Sequence, residues 1–456
     1  MRNVIKLFAA SYIVASIFIL WGYSIGKFGV FPAKVIDPMV EEVQGFFRGG
    51  DAEPEKTALD RIMLHRQEFR SDAFKAEDNI TWEPARKIEI SGPAKSGRFY
   101  IYDETFRDNG YLLISRYSFE HKQVIVELLL LSNLTIMHQW IPPISKILEL
   151  DGLPESEKET NSISGYRMQH PFLLDDGSIV FHSGDGALVR LDKKSDIVWI
   201  IPRILFHHSI EMGADGNLYV PVVVPKDNAY HYIDDVFREE GYAIVSPDGA
   251  LVKIVTIFRI LVENGYRGIV LGRPTLGTDP FHLNDVQPIV KDAGLLRTGD
   301  IAMSMRHNST VLVYRPIEDK ILALSVGPWL AQHDVSPLPN GNLSVFNNEY
   351  IMDQRFNSLK RPFSSIVIWD PLSNFFTEPY NHVLKNFKVY TASQGRARIL
   401  PNGDAYIEES NSGRLLRVSS KQPRWTYINF NEDETITGAI HWCRYLLSDE
   451  ITQFWK

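Results

Sequence analysis

The chain is poor in the residues on which many chemistries depend. Cys443 is its sole cysteine, which excludes an internal disulfide and a cysteine-built metal cluster. A single thiol in such a chain reads as a small buried hydrophobe. Basic charge is in deficit, with a formal net charge of -8 and a pI near 5.9. That is the opposite of the cationic face that grips phosphates, so no nucleic-acid partner is expected. No glycine-rich loop of the Walker or dinucleotide kind is present, and no cofactor is expected. Long amphipathic helical patterns are largely missing beyond the amino-terminal region.

What the chain does have begins with Arg2 and Lys6, followed by an apolar run over residues 7–23. Its length approaches the ~20 residues of a membrane helix, and no clear small-x-small cleavage site precedes Pro32. A signal-anchor over residues 1–30 is therefore expected. Retained positive charge would leave the remaining chain outside the cytoplasm, so a single-pass inner-membrane protein with its main domain in the periplasm is expected. Between residues 38 and 74, charged and apolar residues alternate near helical spacing around Gly49-Gly50, which reads as a helical stalk; residues 31–90 are assigned to stalk and linker.

From about residue 97, short Val/Ile/Leu/Tyr-rich runs alternate with Asp-Gly, Asn-Gly and Gly-Asp turns, the pattern of antiparallel hairpins. Self-similar strand-turn-strand lines begin near Gly177, Gly216, Gly299, Gly341 and Gly403, and a less regular one spans residues 99–140. Six such units are the length of propeller blades rather than solenoid rungs. An all-β, six-bladed β-propeller over residues 91–456 is expected. In that fold, residues in one register converge on the axis whatever their separation in sequence.

A histidine recurs in register. His208 and His333 each stand eight positions before a turn glycine, Gly216 and Gly341. His282 lies in a third block, followed by Arg306. A structural repeat that required histidine would carry one in each copy, yet Gly395 holds the corresponding place before Gly403, and His170 is one residue out of step before Gly177. His207, adjacent to His208, should point elsewhere and support the site from behind. Three imidazoles can supply a nucleophile, charge stabilisation and proton transfer. Arg306 adds a permanent cation with a planar fork of donors, suited to a tetrahedral oxyanion such as sulfate or phosphate. A fixed cation disfavours a simple three-histidine metal site, and no metal ligands are assigned.

The segments HHSIEMGADGNLYV (207–220), FHLNDVQP (281–288) with GDIAMSMRHNSTVLVY (299–314), and QHDVSPLPNGNLSVFNN (332–348) resemble the bacterial arylsulfate sulfotransferases, the PAPS-independent aryl-sulfotransferases of the periplasm. The resemblance covers about residues 165–430 and implies a six-bladed propeller. It further implies ping-pong transfer of a sulfuryl group from an aryl sulfate donor to a phenolic acceptor. His333 would be transiently sulfated, with His208, His282 and Arg306 as its companions. Asn284 and Asp334 are candidate orienting residues, and Phe206, Phe281, Trp329 and Tyr350 are aromatic residues that could stack on an aryl group or pack the blades. Two other readings stay open: a non-catalytic anchored propeller that binds an anionic ligand or a protein, and a metal-dependent hydrolase using the three histidines as ligands.

Overall fold

The computed structural model describes residues 82–89, 97–153, 162–225, 229–230, 238–272, 278–351 and 363–451. The chain divides into Met1–Phe74 and Lys75–Lys456, and the described residues belong to the second unit. The apolar run at residues 7–23 and the stalk at 38–74 lie outside the described residues. No helix among the described residues is long and apolar enough to cross a membrane; the longest α-helix among them, Ile257–Glu263, has seven residues.

The described residues form an all-β propeller of antiparallel sheets. β3 (Tyr111–Ser118), β4 (Gln123–Leu130) and β5 (Thr135–Trp140) pair in chain order, and β26 (Arg444–Leu446) completes their sheet from the far end of the chain. A second sheet runs through β6 (Gln169–Leu173), β7 (Ile179–His182), β8 (Gly186–Leu191) and β9 (Ile197–Phe206), and continues into β11 (Leu218–Val223), β12 (Glu240–Val245) and β13 (Leu251–Thr256), with β10 (Glu211–Met212) against β11. Two four-stranded sheets follow. One holds β14 (Leu283–Pro288), β15 (Ile301–Met305), β16 (Thr310–Arg315) and β17 (Lys320–Val326); the other holds β18 (His333–Pro337), β19 (Leu343–Asn347), β20 (Ser365–Asp370) and β21 (Phe375–Thr377). The last contains β22 (Arg396–Ile399), β23 (Ala405–Glu409), β24 (Arg414–Val418) and β25 (Pro423–Ile428), extended by β2 (Arg98–Ile101) and β1 (Arg86–Glu89).

Six separate four-stranded units are expected from the repeats, and the structure corrects this to five hydrogen-bonded sheets. β9 and β11 meet at the Phe206–Val222 pair, which merges two of the expected units into one sheet. The domain boundary also moves. β1 falls inside the segment assigned to the linker, yet pairs Lys87 with Tyr100 and Ile88 with Phe99. Arg-Lys-Ile-Glu is too short and polar to show a readable alternation; the open edge of β2 makes it a strand. The ring is therefore closed from both ends of the domain, by β26 in one sheet and by β1 and β2 in another.

The turn glycines read from the sequence adopt left-handed backbone, Gly177, Gly216, Gly299, Gly341 and Gly403 among them, which is where a tight hairpin favours glycine. Apolar residues pack into six clusters among the described residues, such as Val126, Trp140, Phe181 and Val189 between two sheets and Phe206, Leu218, Val220 and Ala243 within the eight-stranded one. Removing a Val, Leu or Phe side chain among them from water contributes ~1.5–3 kcal/mol, and this packing holds neighbouring strand units together.

A polar girdle joins successive inner strands, once within the eight-stranded sheet and otherwise from sheet to sheet. Ile210 N–H donates to His170 Nδ1 (2.6 Å), Val286 N–H to Ser209 Oγ (3.0 Å), Val335 N–H to Asp285 Oδ2 (2.6 Å) and Ala397 N–H to Asp334 Oδ2 (3.1 Å). Glu408 accepts in the same way from the Trp442 and Cys443 amides. Each of these groups thus satisfies a backbone donor beside the next inner strand, which at full burial would otherwise cost ~1–3 kcal/mol.

Candidate active site

The residues singled out from the sequence do converge. His208 directly precedes the second inner edge of the eight-stranded sheet. It holds a left-handed φ of 60°, and its carbonyl accepts a hydrogen bond from His182 Nε2 (2.9 Å). His182 can donate there because Gly184 N–H occupies its other nitrogen. His282 precedes β14, and Arg306 stands in a 3-10 turn at the end of β15. The Arg306 amide donates to the His282 carbonyl (3.0 Å), so hairpin closure sets the two side by side. His333 opens β18. Ring centroids of His208 lie 4.9 Å from His282 and 5.9 Å from His333.

Each histidine is held differently at Nδ1. For His333 the partner is Asn348 Oδ1, at 2.7 Å. The Asn348 amide nitrogen donates to the carbonyls of Thr391 and Gln394, so its oxygen is the end that faces the ring. His333 Nδ1 must then carry the hydrogen, leaving the lone pair on Nε2. The Gln394 amide points at that lone pair from 3.2 Å. For His282 the partner is a carboxylate, Asp279 Oδ2, at 2.7 Å. His208 has a second imidazole, His207 Nδ1, at 2.9 Å. The sequence placed His207 behind His208, and its Nδ1 contact supports that reading.

Electrostatics favour a neutral nucleophile. Burial, reinforced by the Arg306 cation, pushes the His333 pKa well below the ordinary histidine value. Burial, with His282 next, does the same to His208. Burial also lowers the Arg306 pKa from its usual value, against the Tyr350 and Asp279 charges that raise it. Asp279 is drawn down to about 2 although burial opposes this, because His282 hydrogen-bonds to it and His282 and His307 lie beside it. A lone pair on an uncharged ring, with a guanidinium close by, suits attack on a sulfur or phosphorus centre whose oxygens carry negative charge.

The structure separates other candidates from this centre. Asp334 binds Ala397 N–H and lies 3.3 Å from Arg396, while Asn284 donates to the Gln332 carbonyl (2.6 Å); both tie sheets together rather than orienting a histidine. His170 belongs to the girdle, which accounts for its one-residue offset: it shares the role of Asp334, not of His333. Its Nδ1 accepts from Ile210, and its Nε2 lies 2.5 Å from Arg396 Nη1 and 3.4 Å from Glu211 Oε1. Phe206, Phe281 and Trp329 are fully buried in apolar clusters. Tyr350 alone of the four aromatics reaches the site, its ring centroid 5.7 Å from the Arg306 guanidinium carbon.

Several neighbours were not picked out from the sequence. Trp442 is 1 % exposed and packs edge-on against His208 (5.8 Å) and His333 (6.2 Å). It stands two residues before β26, where none of the repeat lines read from the sequence marks it. Asn348 closes the segment that contains His333, and Asp279 stands three residues before His282. His307 stacks on His282 at 4.4 Å and binds the Asp279 carbonyl (2.7 Å). Gly395, in the register of His333, has φ 83°; a Cβ there would come within 2.6 Å of both Phe346 and Thr391. Glycine lets that edge approach closely enough for Gln394 to reach His333.

Asp279, His282 and His307 also bring one ligand atom each within 4.8 Å of one another. Their atoms already serve one another, with His282 Nδ1 on the carboxylate and His307 Nδ1 on the Asp279 carbonyl, so a cation would have to replace those bonds. That is the donor set of an oriented His–Asp pair.

Among solved structures, the chain is similar to several at low identity. A protein of unknown function from Bacteroides caccae matches at 12% identity and a TM-score of 0.45, covering 74% of this chain and 99% of that one. A streptogramin B lyase matches at 12% and 0.37, over 76% and 89%, and a nidogen/laminin complex at 7% and 0.41, over 74% and 99%. No curated protein matches. Residues 170–429 match the arylsulfotransferase (ASST) family, a span that contains His208, His282, Arg306 and His333. The chain belongs to the arylsulfotransferase family.

Proposed function

We propose that this protein transfers a sulfuryl group from an aryl sulfate to a phenolic acceptor by a ping-pong route through sulfated His333. The observation that carries this reading is the fixed tautomer of His333: Asn348 holds the hydrogen on Nδ1, so Nε2 keeps its lone pair, which meets the Gln394 amide at 3.2 Å until sulfur replaces that contact. In the first half-reaction, Nε2 bonds to sulfur as the aryl oxygen departs and takes up a proton. In the second, an acceptor phenol loses its proton, its oxygen attacks sulfur, and the N–S bond breaks. Arg306 neutralises charge on the sulfuryl oxygens throughout. Asp279, on Nδ1 of His282, orients that ring as it hydrogen-bonds the same oxygens. Tyr350, beside Arg306, forms part of the aryl-binding wall.

A membrane anchor within residues 1–30, a stalk before the propeller and a periplasmic catalytic domain complete the proposal, on the apolar run and its flanking Arg2 and Lys6.

The test is sulfuryl transfer by the full-length protein from 4-nitrophenyl sulfate to phenol, with chelator present, beside His333→Ala. Phenol-dependent nitrophenolate release that persists with chelator and vanishes in the variant, with a sulfated His333 peptide by mass spectrometry, supports the mechanism. Release abolished by chelator in the unaltered protein would instead favour a metal-dependent hydrolase. Binding of aryl sulfate without turnover or sulfohistidine would favour a ligand-binding propeller.

A further inference from the structure

Behind His208 lies a line of groups that the mechanism above does not use. His208 Nδ1 meets His207 Nδ1 at 2.9 Å. On the other side of the His207 ring, Nε2 stands 3.5 Å from Glu240 Oε1, at the start of β12. Both of those atoms are buried, and neither has a hydrogen-bond partner among the described residues. His207 is 2 % exposed and Glu240 0 %. Two facing orphans of complementary chemistry, at a distance that a slight side-chain rotation closes, form the last link of a wire. The other carboxyl oxygen, Oε2, is held by Leu283 N–H at 2.6 Å, so Glu240 has one oxygen for structure and one for His207.

We propose that Glu240 stores a proton for His208, passed through His207, and that this wire switches His208 between proton donor and proton acceptor. The proposal rests on the transferase reading for its use of the proton. With Glu240 protonated, Oε1–H points to His207 Nε2, His207 Nδ1–H points to His208 Nδ1, and His208 Nε2 carries a hydrogen. When the aryl oxygen leaves sulfur it takes that hydrogen. His208 Nδ1 is refilled from His207 Nδ1, and His207 Nε2 from Glu240, which becomes a carboxylate. His208 Nε2 now holds a lone pair and receives the proton of the acceptor phenol, driving the same steps backward. One proton leaves and one returns per cycle, so the wire balances without exchange with solvent.

The charges around Glu240 suit such a store. Arg238 Nη2 lies 3.5 Å from Oε1 and favours the carboxylate, while its bond to Asp185 (2.6 Å) divides its charge. Burial, followed by the negative charge of Asp279, pushes Glu240 up to about 8, and Asp185 adds to that. Burial holds His207 at about 3, although Asp185 opposes it, so the ring relays a proton without keeping an additional one.

The test compares full-length protein with Glu240→Gln, whose amide oxygen still accepts Leu283 N–H but whose nitrogen cannot exchange protons. A second variant, Glu240→Asp, keeps the acid and guards against loss of folding. Two donors are used. Departure of 4-nitrophenol, an acidic phenol, needs little proton assistance, whereas departure of phenol needs it strongly. Glu240→Gln should change the ratio of His333 sulfation rates for 4-nitrophenyl over phenyl sulfate by ~10–100-fold, with Glu240→Asp between. An unchanged ratio overturns the store. Imidazole nitrogen NMR provides a readout without turnover: His208 should exchange one tautomer for the other across ~pH 6 to ~9 in the unaltered protein and keep one tautomer in Glu240→Gln. The same His208 tautomer at every pH in both proteins also overturns the proposal. Absence of sulfated His333 with either donor in the unaltered protein removes the transferase reading instead, and the NMR titration still decides the wire.

Discussion

His333 and Asp334 are neighbours, both at most 2 % exposed, and they belong to different machines. His333 stands beside His208 with an unprotonated Nε2, whereas Asp334 turns to the next sheet and accepts the Ala397 amide. The same division runs around the propeller: His208 belongs to the reactive ring and Ser209 to the girdle, His333 to the ring and Asp334 to the girdle. A girdle position has to accept a backbone hydrogen, and hydroxyl, carboxylate and imidazole all do so. Ring positions have to supply particular charge and lone pairs, so their residue types are not interchangeable. Chemical tolerance, more than burial, distinguishes framework from site.

His333→Ala should give the largest effect and break the comparison on the side of the ring. We expect transfer to fall ~1000-fold or more with the unfolding midpoint within ~1 kcal/mol of normal, measured by nitrophenolate release and urea unfolding. Asp334→Ala should do the reverse. It removes the acceptor of Ala397 N–H and a carboxylate partner of Arg396, and should cost about 3 kcal/mol in urea unfolding. Arg306→Lys retains the charge and the backbone link to His282 but loses the planar fork. It should lower kcat/KM by ~10–100-fold with little effect on stability.

The smallest effect is on pH dependence. Burial depresses His170, His208 and His333 well below their ordinary value, His182 to about 4, and His207 and His441 to about 3. Below their unfolded value of ~6.5, these groups bind protons in the unfolded chain but not in the folded one. Their contribution should therefore leave stability unchanged above ~pH 6.5 and erode it progressively on acidification toward the folded values. The urea midpoint measured from pH 7 downward checks this. Sulfation of His333 should show no loss at ~pH 6, because its reactive form is already the neutral one.

The legible part of the site was that which repetition marks. His208 and His333 were found because a histidine stood at a constant distance from a turn glycine, and Arg306 because a permanent cation followed the third histidine. Asn348, Asp279 and Glu240 carry no such mark. Their roles come from which atom they turn toward a ring, and that depends on loop paths and on amide orientation. His170 illustrates the limit: its offset of one residue was visible, but the meaning of the offset was not. Once alternate residues face ring and girdle, one position is the difference between reacting and bracing. The strand at Arg86–Glu89 and the merging of β9 with β11 were equally hidden, since edge pairing depends on which backbone happens to be free nearby.

The sequence by itself determined the all-β repeat, its hairpin turns and the residue types that converge on one centre, because strand period and turn glycine are local properties of the chain. Only the tertiary structure decided which nitrogen of each histidine faces the centre, which carboxylates brace the sheets, and which one stands behind His208. Those outcomes depend on distances between atoms far apart in sequence, and a difference of one ångström or one ring flip changes a nucleophile into a strut.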